Sequence, residues 1–170
     1  MSEIERELAA KKLEDCYKAL AITLAKTYGV PVPTVEFSWK FYTDFGPGAT
    51  YKFKERKIYV TYDTRPDEFA HEFKHYLQEI VEGRDYESEV LKAYKEGKIW
   101  SFSMAWMLPI EEEAEKFGNI YGRVLEEAGR KVYGSQIWTL GVLRDSFRRG
   151  EVPEFVMEVF KRRIEVKELS

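Results

Sequence analysis

The 170-residue chain contains two histidines, and both fall in the stretch His71-Glu72-Phe73-Lys74-His75. On an α-helix, residues four apart stand one turn apart on the same side, so His71 and His75 can aim both imidazoles at one ion while Glu72 lies beside them. The bland alternative is a solvated helix face. Ala70, Phe73, Leu77, Ile80 and Val81 cluster on the opposite side of the wheel, and the face away from such a stripe is where any helix puts His, Glu and Lys.

A catalytic zinc site usually has three protein ligands and one open position. With no further histidine, the third ligand must be a carboxylate or Cys16, and a downstream helix opens on Glu111-Glu112-Glu113-Ala114-Glu115. On its wheel Glu111, Glu115, Gly118 and Gly122 share one face, and the two glycines let that face approach another helix closely. Glu111 is therefore the natural third ligand. Glu113, beside Phe117 and Ile120, is the runner-up, and Glu112 groups with Lys116, Asn119 and Arg123 as a solvated side. An acidic first turn is also what the helix dipole favours without any metal.

These residues need elements to hold them. Leu13, Cys16, Tyr17, Leu20 and Leu24 repeat at helical spacing up to Tyr28-Gly29. Val35, Phe37, Trp39 and Phe41 alternate with polar residues or Tyr42 as a half-buried strand, and Gly46-Pro47-Gly48 breaks the chain. Ala49 to Phe53 and Lys57 to Tyr62 read as a hairpin. Thr64-Arg65-Pro66-Asp67 predicts a helix start with Thr64 as the cap, running to about Gly83. Asp85 to Leu108 reads as helical, with an aromatic-rich end. Pro109 opens the acidic helix, which Gly129 should close, and Val132 to Ser170 forms one or two further helices around Gly150-Glu151-Val152-Pro153. The expected fold class is α+β: a small, mostly antiparallel or mixed sheet, a metal-bearing helix, and additional helices at both ends.

In this arrangement the chain resembles the gluzincins, zincin metallopeptidases whose H-E-x-x-H helix is followed by a second helix supplying a glutamate in an E-x-x-[A/S]-D or -N pattern. Glu111-Glu112-Glu113-Ala114-Glu115 is similar to that pattern, with Glu115 in place of Asp or Asn, and Glu111 to Gly118 resembles the E-x-x-A-N-x-F-A of ImmA-type bacterial metallopeptidases. The resemblance covers about Val35 to Leu125. It implies that His71, His75 and Glu111 bind one Zn²⁺, that Glu72 acts as general base on an activated water, and that Glu115 orients a ligand histidine by accepting a hydrogen bond from it. It also implies that Ala49 to Phe53 is a rim strand along which an extended peptide adds. The expected activity is that of an endopeptidase rather than an exopeptidase, and the expected partner is a peptide or protein substrate. On this reading residues 1–170 are a single zincin-like domain, with an N-terminal helix in 1–30, a catalytic core in 33–128 and C-terminal helices in 129–170.

Several residues keep alternatives. Lys74 is charged where such helices usually are not, and it would weaken a cation site unless it points away. It motivates a second reading, a zincin-like sensor or binding module without strong activity. A third reading is a helical interaction protein with a chance motif. Cys16 could plug an open metal position, or it is a core residue on an apolar stripe. Tyr121, Tyr133 and Arg123 are oxyanion donors by residue type only. Trp100, Trp106 and Trp138 line a specificity pocket or belong to the core.

Composition narrows the partners. A net charge of -3 gives no long-range attraction to nucleic acid or anionic lipid, so neither nucleic acid nor membrane is expected as a partner. Arg148-Arg149 and Lys161-Arg162-Arg163 are interleaved with Glu151, Glu154, Glu158 and Glu165. One cysteine, a charged start and no long apolar run predict a cytoplasmic protein, and the scarcity of Asn and Gln predicts a thermophilic source.

Overall fold

The computed structural model describes residues 1–40 and 48–164. Expectations for Phe41, Tyr42, Gly46, Pro47 and Glu165 fall outside those residues. The fold is α+β, a three-stranded mixed sheet with helices packed around it.

Helix α1, Glu3–Tyr28, starts where Ser2 accepts from the Glu5 N–H and ends at Gly29, whose φ of 67° only glycine adopts freely. Its apolar stripe, Leu13, Cys16, Tyr17, Leu20 and Leu24, is buried as the periodicity predicts. Strand β1, Thr34–Phe37, lies beside it, tied where the Phe37 N–H donates to Glu14. Trp39 and Lys40 have turned helical, so the strand is shorter than the alternation suggests.

Strands β2, Thr50–Lys52, and β3, Lys57–Val60, form the expected antiparallel hairpin, with Tyr51 opposite Ile58. Strand β1 pairs with β3 in parallel, giving the order β1-β3-β2 and leaving β2 at an edge.

Helix α2, Pro66–Ile80, carries both histidines. Its cap is one residue later than predicted: Glu68 accepts from the Arg65 N–H, while the Thr64 hydroxyl donates to the Gly48 carbonyl and accepts from the Thr61 N–H. A threonine buried in a turn is worth more to that turn's orphan donors than to the helix end. Asp85 caps helix α3, Tyr86–Lys95. The aromatic-rich stretch that follows departs from the α-helical expectation: Gly97 at φ 74° breaks the helix, and Phe102–Met107 is a 3-10 turn. Helix α4, Pro109–Tyr133, runs past Gly129, which lies inside it because Thr139 packs there too closely for any side chain. The expected boundary between core and C-terminal helices at 128/129 thus falls within one helix. Helices α5, Thr139–Arg148, and α6, Glu154–Phe160, complete the chain.

The main core joins α1, the sheet, α2, α4, α5 and α6. Tyr17 lies near its middle, with its ring against Phe69 and Phe147 and its hydroxyl donating to the Thr64 carbonyl at 2.6 Å. Each such aromatic contributes about 1.5–3 kcal/mol by leaving water, so the face of α2 opposite the histidines is anchored. A second core of Val90, Ala93, Ile99, Ala105, Leu108 and Ile110 lies under the 86–108 segment, which meets the histidine helix where the Tyr86 ring lies edge-on to His75.

Candidate metal centre

The histidine face of α2 does not point into open water. Helix α4 lies against it, and the approach is permitted by two glycines. A side-chain carbon at Gly118 would lie 2.9 Å from the Asp67 carbonyl oxygen and 3.0 Å from the His71 Cβ, and one at Gly122 would lie 3.2 Å from the Asp67 Cβ. Seven residues before Gly118, two turns back along the same helix, the first turn of α4 brings Glu111 over the imidazoles.

The donor atoms converge. His71, Glu72 and His75 place ligating atoms within 4.8 Å of one another. Glu111 Oε1 lies 3.3 Å from His71 Nε2 and 2.7 Å from His75 Nε2. Ligands of one tetrahedral zinc, at bonds of about 2.0–2.1 Å, stand roughly 3.3 Å apart. The first distance suits that spacing, and the second is a direct contact that a bound ion would open by about half an ångström.

The outer nitrogens decide what the inner ones can do. Gln78, fully buried, donates from its amide nitrogen to the Ile110 carbonyl at 2.9 Å, so its amide oxygen must be the atom 2.8 Å from His75 Nδ1. His75 therefore carries its proton on Nδ1, and in the neutral ring Nε2 presents a lone pair to an ionised carboxylate oxygen at 2.7 Å. Two acceptors that close require a cation between them, either a proton or a metal ion. His71 directs Nε2 toward Glu111, and its Nδ1 lies 3.3 Å from Oε2 of the largely exposed Glu115, an ion-pair contact without hydrogen-bond alignment. The donor set, two imidazoles and a carboxylate around one point, fits zinc.

Electrostatics agree with that reading. Burial disfavours the charged form of His71, yet Glu111, Glu72 and Glu115 outweigh it and hold the imidazolium up to about 8. Burial likewise opposes ionisation of Glu111, but the two histidines hold its carboxyl well below the usual carboxylate range. Glu72 is pushed up by burial. Its Oε1 accepts from the Tyr51 N–H of the edge strand at 3.0 Å, and its Oε2 faces His71 Nε2 at 3.7 Å.

The two glutamates next to Glu111 are occupied. Glu112 pairs with Lys116 at 2.9 Å, and Glu113 pairs with Arg84, which also holds Glu89. Lys74 turns its ammonium over the Phe117 ring, 5.6 Å from the centroid, and does not line the cleft. Cys16 is buried in the main core, where its thiol lies 3.7 Å from the Phe147 carbonyl. Tyr121 donates to the Arg162 carbonyl, Tyr133 packs on Phe155, and Arg123 lines a different concavity. Trp100, Trp106 and Trp138 are exposed rather than core.

Sequence reasoning missed two residues. Gln78 is one; its spacing of three from His75 was a usable signal. Tyr86 is the other. Its hydroxyl donates to Glu111 Oε2 at 3.1 Å, and burial together with Glu111 raises its pKa, keeping the phenol protonated at neutral pH. Nothing in residue type separates it from the other tyrosines among eleven.

Two concavities of about 430 and 600 Å³ meet at Glu72 and Glu111 and form a cleft over these groups, one half reaching Gly48 and Gly118, the other β2 and Tyr86. A larger one, about 750 Å³, lies further along α4 between Asp67 and Arg130; Asp67, Glu126 and Glu127 line it with no histidine, and among the described residues they do not form a close group of donors as His71, Glu72 and His75 do, so donor geometry rather than volume locates the centre. Among the described residues no helix is long and apolar enough to cross a membrane. No family model, curated protein or solved structure matches the chain.

Proposed function

We propose that the chain is a zinc-dependent peptidase of gluzincin type, similar to ImmA-type metallopeptidases, acting as one domain over 1–170, with His71, His75 and Glu111 holding a single Zn²⁺. The observation that carries this reading is the apposition of His75 Nε2 and Glu111 Oε1 at 2.7 Å, with the His75 proton committed to Gln78. A helix that merely exposed a chance motif would have no reason to bury these acceptors face to face, and with Lys74 turned away the sensor reading loses its motive.

Bound zinc supplies a Lewis acid that lowers the pKa of a water toward neutrality and polarises a carbonyl. The chain's own groups do the rest. Glu72, whose burial raises its proton affinity, takes the proton of the attacking water and returns it to the leaving amine. The Tyr51 N–H fixes which of its oxygens remains available. Gln78 holds the His75 imidazole in the tautomer that turns Nε2 inward, and Glu115 faces the outer nitrogen of His71. Tyr86 holds Glu111 through its one hydroxyl proton and, by swinging that proton from Glu111 Oε2, would donate to the oxyanion of the tetrahedral species. An extended substrate lies along β2, whose outer edge faces the cleft.

The test is a pair of measurements on one variant. Glu72→Gln should retain about one zinc per chain and lose chelator-sensitive peptidase activity by about 10²–10⁴-fold. Full activity in that variant overturns the mechanism, and zinc retained in His75→Ala or Glu111→Ala overturns the site.

A further inference from the structure

The segment after the histidine helix carries an unusual surface. Trp100 is 81% exposed, Trp106 69%, Phe102 58%, and Leu91, Tyr94 and Met107 are between 41% and 49% exposed. Tyr94 of α3 and Phe102 of the 3-10 turn touch, with ring centroids 5.1 Å apart, so helix and turn present one apolar face. Summed, the six side chains expose on the order of 700 Å², close to what one partner contributes to a standard interface.

Charge on α3 says which partner fits. Val90 and Ala93 face inward, and Glu87, Leu91 and Lys95 follow one another at four-residue intervals along the outer face. Glu87 has one cation near it among the described residues, Lys54 at 3.8 Å, with both side chains more than 70% exposed, a contact worth little. No carboxylate of the described residues lies within ion-pair distance of Lys95. An acid and a base equidistant from a central apolar residue make the face complementary to itself reversed. When two such helices cross antiparallel about a two-fold axis at Leu91, each Glu87 meets Lys95 of the partner subunit, about 6 Å from the axis along the helix.

We propose that the chain forms an isologous dimer through the outer face of α3 and the Phe102–Met107 turn, with Leu91 at the axis and reciprocal Glu87–Lys95 pairs flanking it. Glu87 also lines the Tyr51–Tyr86 half of the cleft, so the dimer brings Lys95 of the partner subunit to the cleft mouth. The pairing follows from α3 alone and does not depend on what the metal centre does.

Sedimentation velocity across the micromolar range tests it. The wild type should move as a species of twice the 20.1 kDa chain mass. Glu87→Lys and Lys95→Glu should each raise the dimer dissociation constant about tenfold, because each replaces two attractions with two repulsions. The double variant Glu87→Lys with Lys95→Glu should restore the wild-type constant, a rescue that an unspecific hydrophobic contact would not show. Far-UV circular dichroism and melting of each variant separate misfolding from dissociation, and the exposed Trp106→Ser should weaken the dimer with the fold intact. A wild type monomeric throughout, a dimer indifferent to both charge reversals, or a monomer that sediments only with phospholipid vesicles would each overturn the proposal.

Discussion

His75 illustrates how one side chain is prepared for a metal. Its ring is fixed from behind by Gln78, which is itself fixed by the Ile110 carbonyl, a chain of single-valued hydrogen bonds that leaves Nε2 one direction to face. Gln78→Leu keeps the volume and removes the tether, so zinc affinity should fall 10- to 100-fold in competition with a chromophoric chelator. An unchanged affinity would mean that the ring is held by packing alone. His71 makes a pH prediction for the metal-free protein. Its folded pKa, about 8, lies above the ordinary 6.5. The imidazolium therefore contributes stability that is complete below pH 6.5 and is lost as pH rises through about 8. Melting temperature measured in a chelator should decline across that window, and His71→Asn should flatten the decline. For the same reason zinc binding, which needs the ring neutral, should release protons and tighten with pH over the same range.

The site exists because two helices can touch. Glycines at 118 and 122 remove the side chains that would hold α4 away from α2, and the two positions differ in what a methyl group would meet. At Gly118 it meets the Asp67 carbonyl oxygen at 2.9 Å and the His71 Cβ at 3.0 Å, so backbone has to move. Gly118→Ala should cost about 1–3 kcal/mol in chemical denaturation and should weaken zinc binding as Glu111 is lifted from the imidazoles. At Gly122 the approach is 3.2 Å to one side-chain carbon, and alanine gains about 1 kcal/mol of helix propensity, so Gly122→Ala should be close to neutral. Equal effects at the two positions would show that the close approach is not what sets the interhelical distance. The glycine spacing was legible in the sequence, since both fall on the wheel face of Glu111. The behaviour of the next segment was not: an aromatic run with helical spacing folded as a 3-10 turn with its rings outward, because Gly97 had already ended the helix and Val90, Ile99, Leu108 and Ile110 with two alanines, rather than the tryptophans, fill the core beneath.

At the scale of the whole molecule the main core runs from α1 to α6 through the sheet and both helices that carry the candidate ligands. We therefore expect a single unfolding transition by calorimetry, raised by zinc and lowered by chelator according to the free metal over its dissociation constant. Cys16 offers an independent probe of that cooperativity. Burial pushes its thiol up to about 11, so alkylation at pH 8 should be slow in the native protein and should accelerate only with global unfolding. Labelling that preceded the main transition would divide the chain into two units.

Periodicity by itself determined α1, α2 and the start of α4, the hairpin, the pair of imidazoles at ligand spacing and the glutamate-and-glycine face of α4, because the 3.6-residue and two-residue repeats are local properties that a sequence carries openly. The tertiary structure decided which acid meets the imidazoles, that Arg84 takes Glu113 and Phe117 takes Lys74, that Gln78 and Tyr86 complete the surroundings, and that the tryptophans face outward. Those facts depend on how α2, α4 and the 86–108 segment dock. Docking is set by contacts between residues tens of positions apart, which no local repeat encodes.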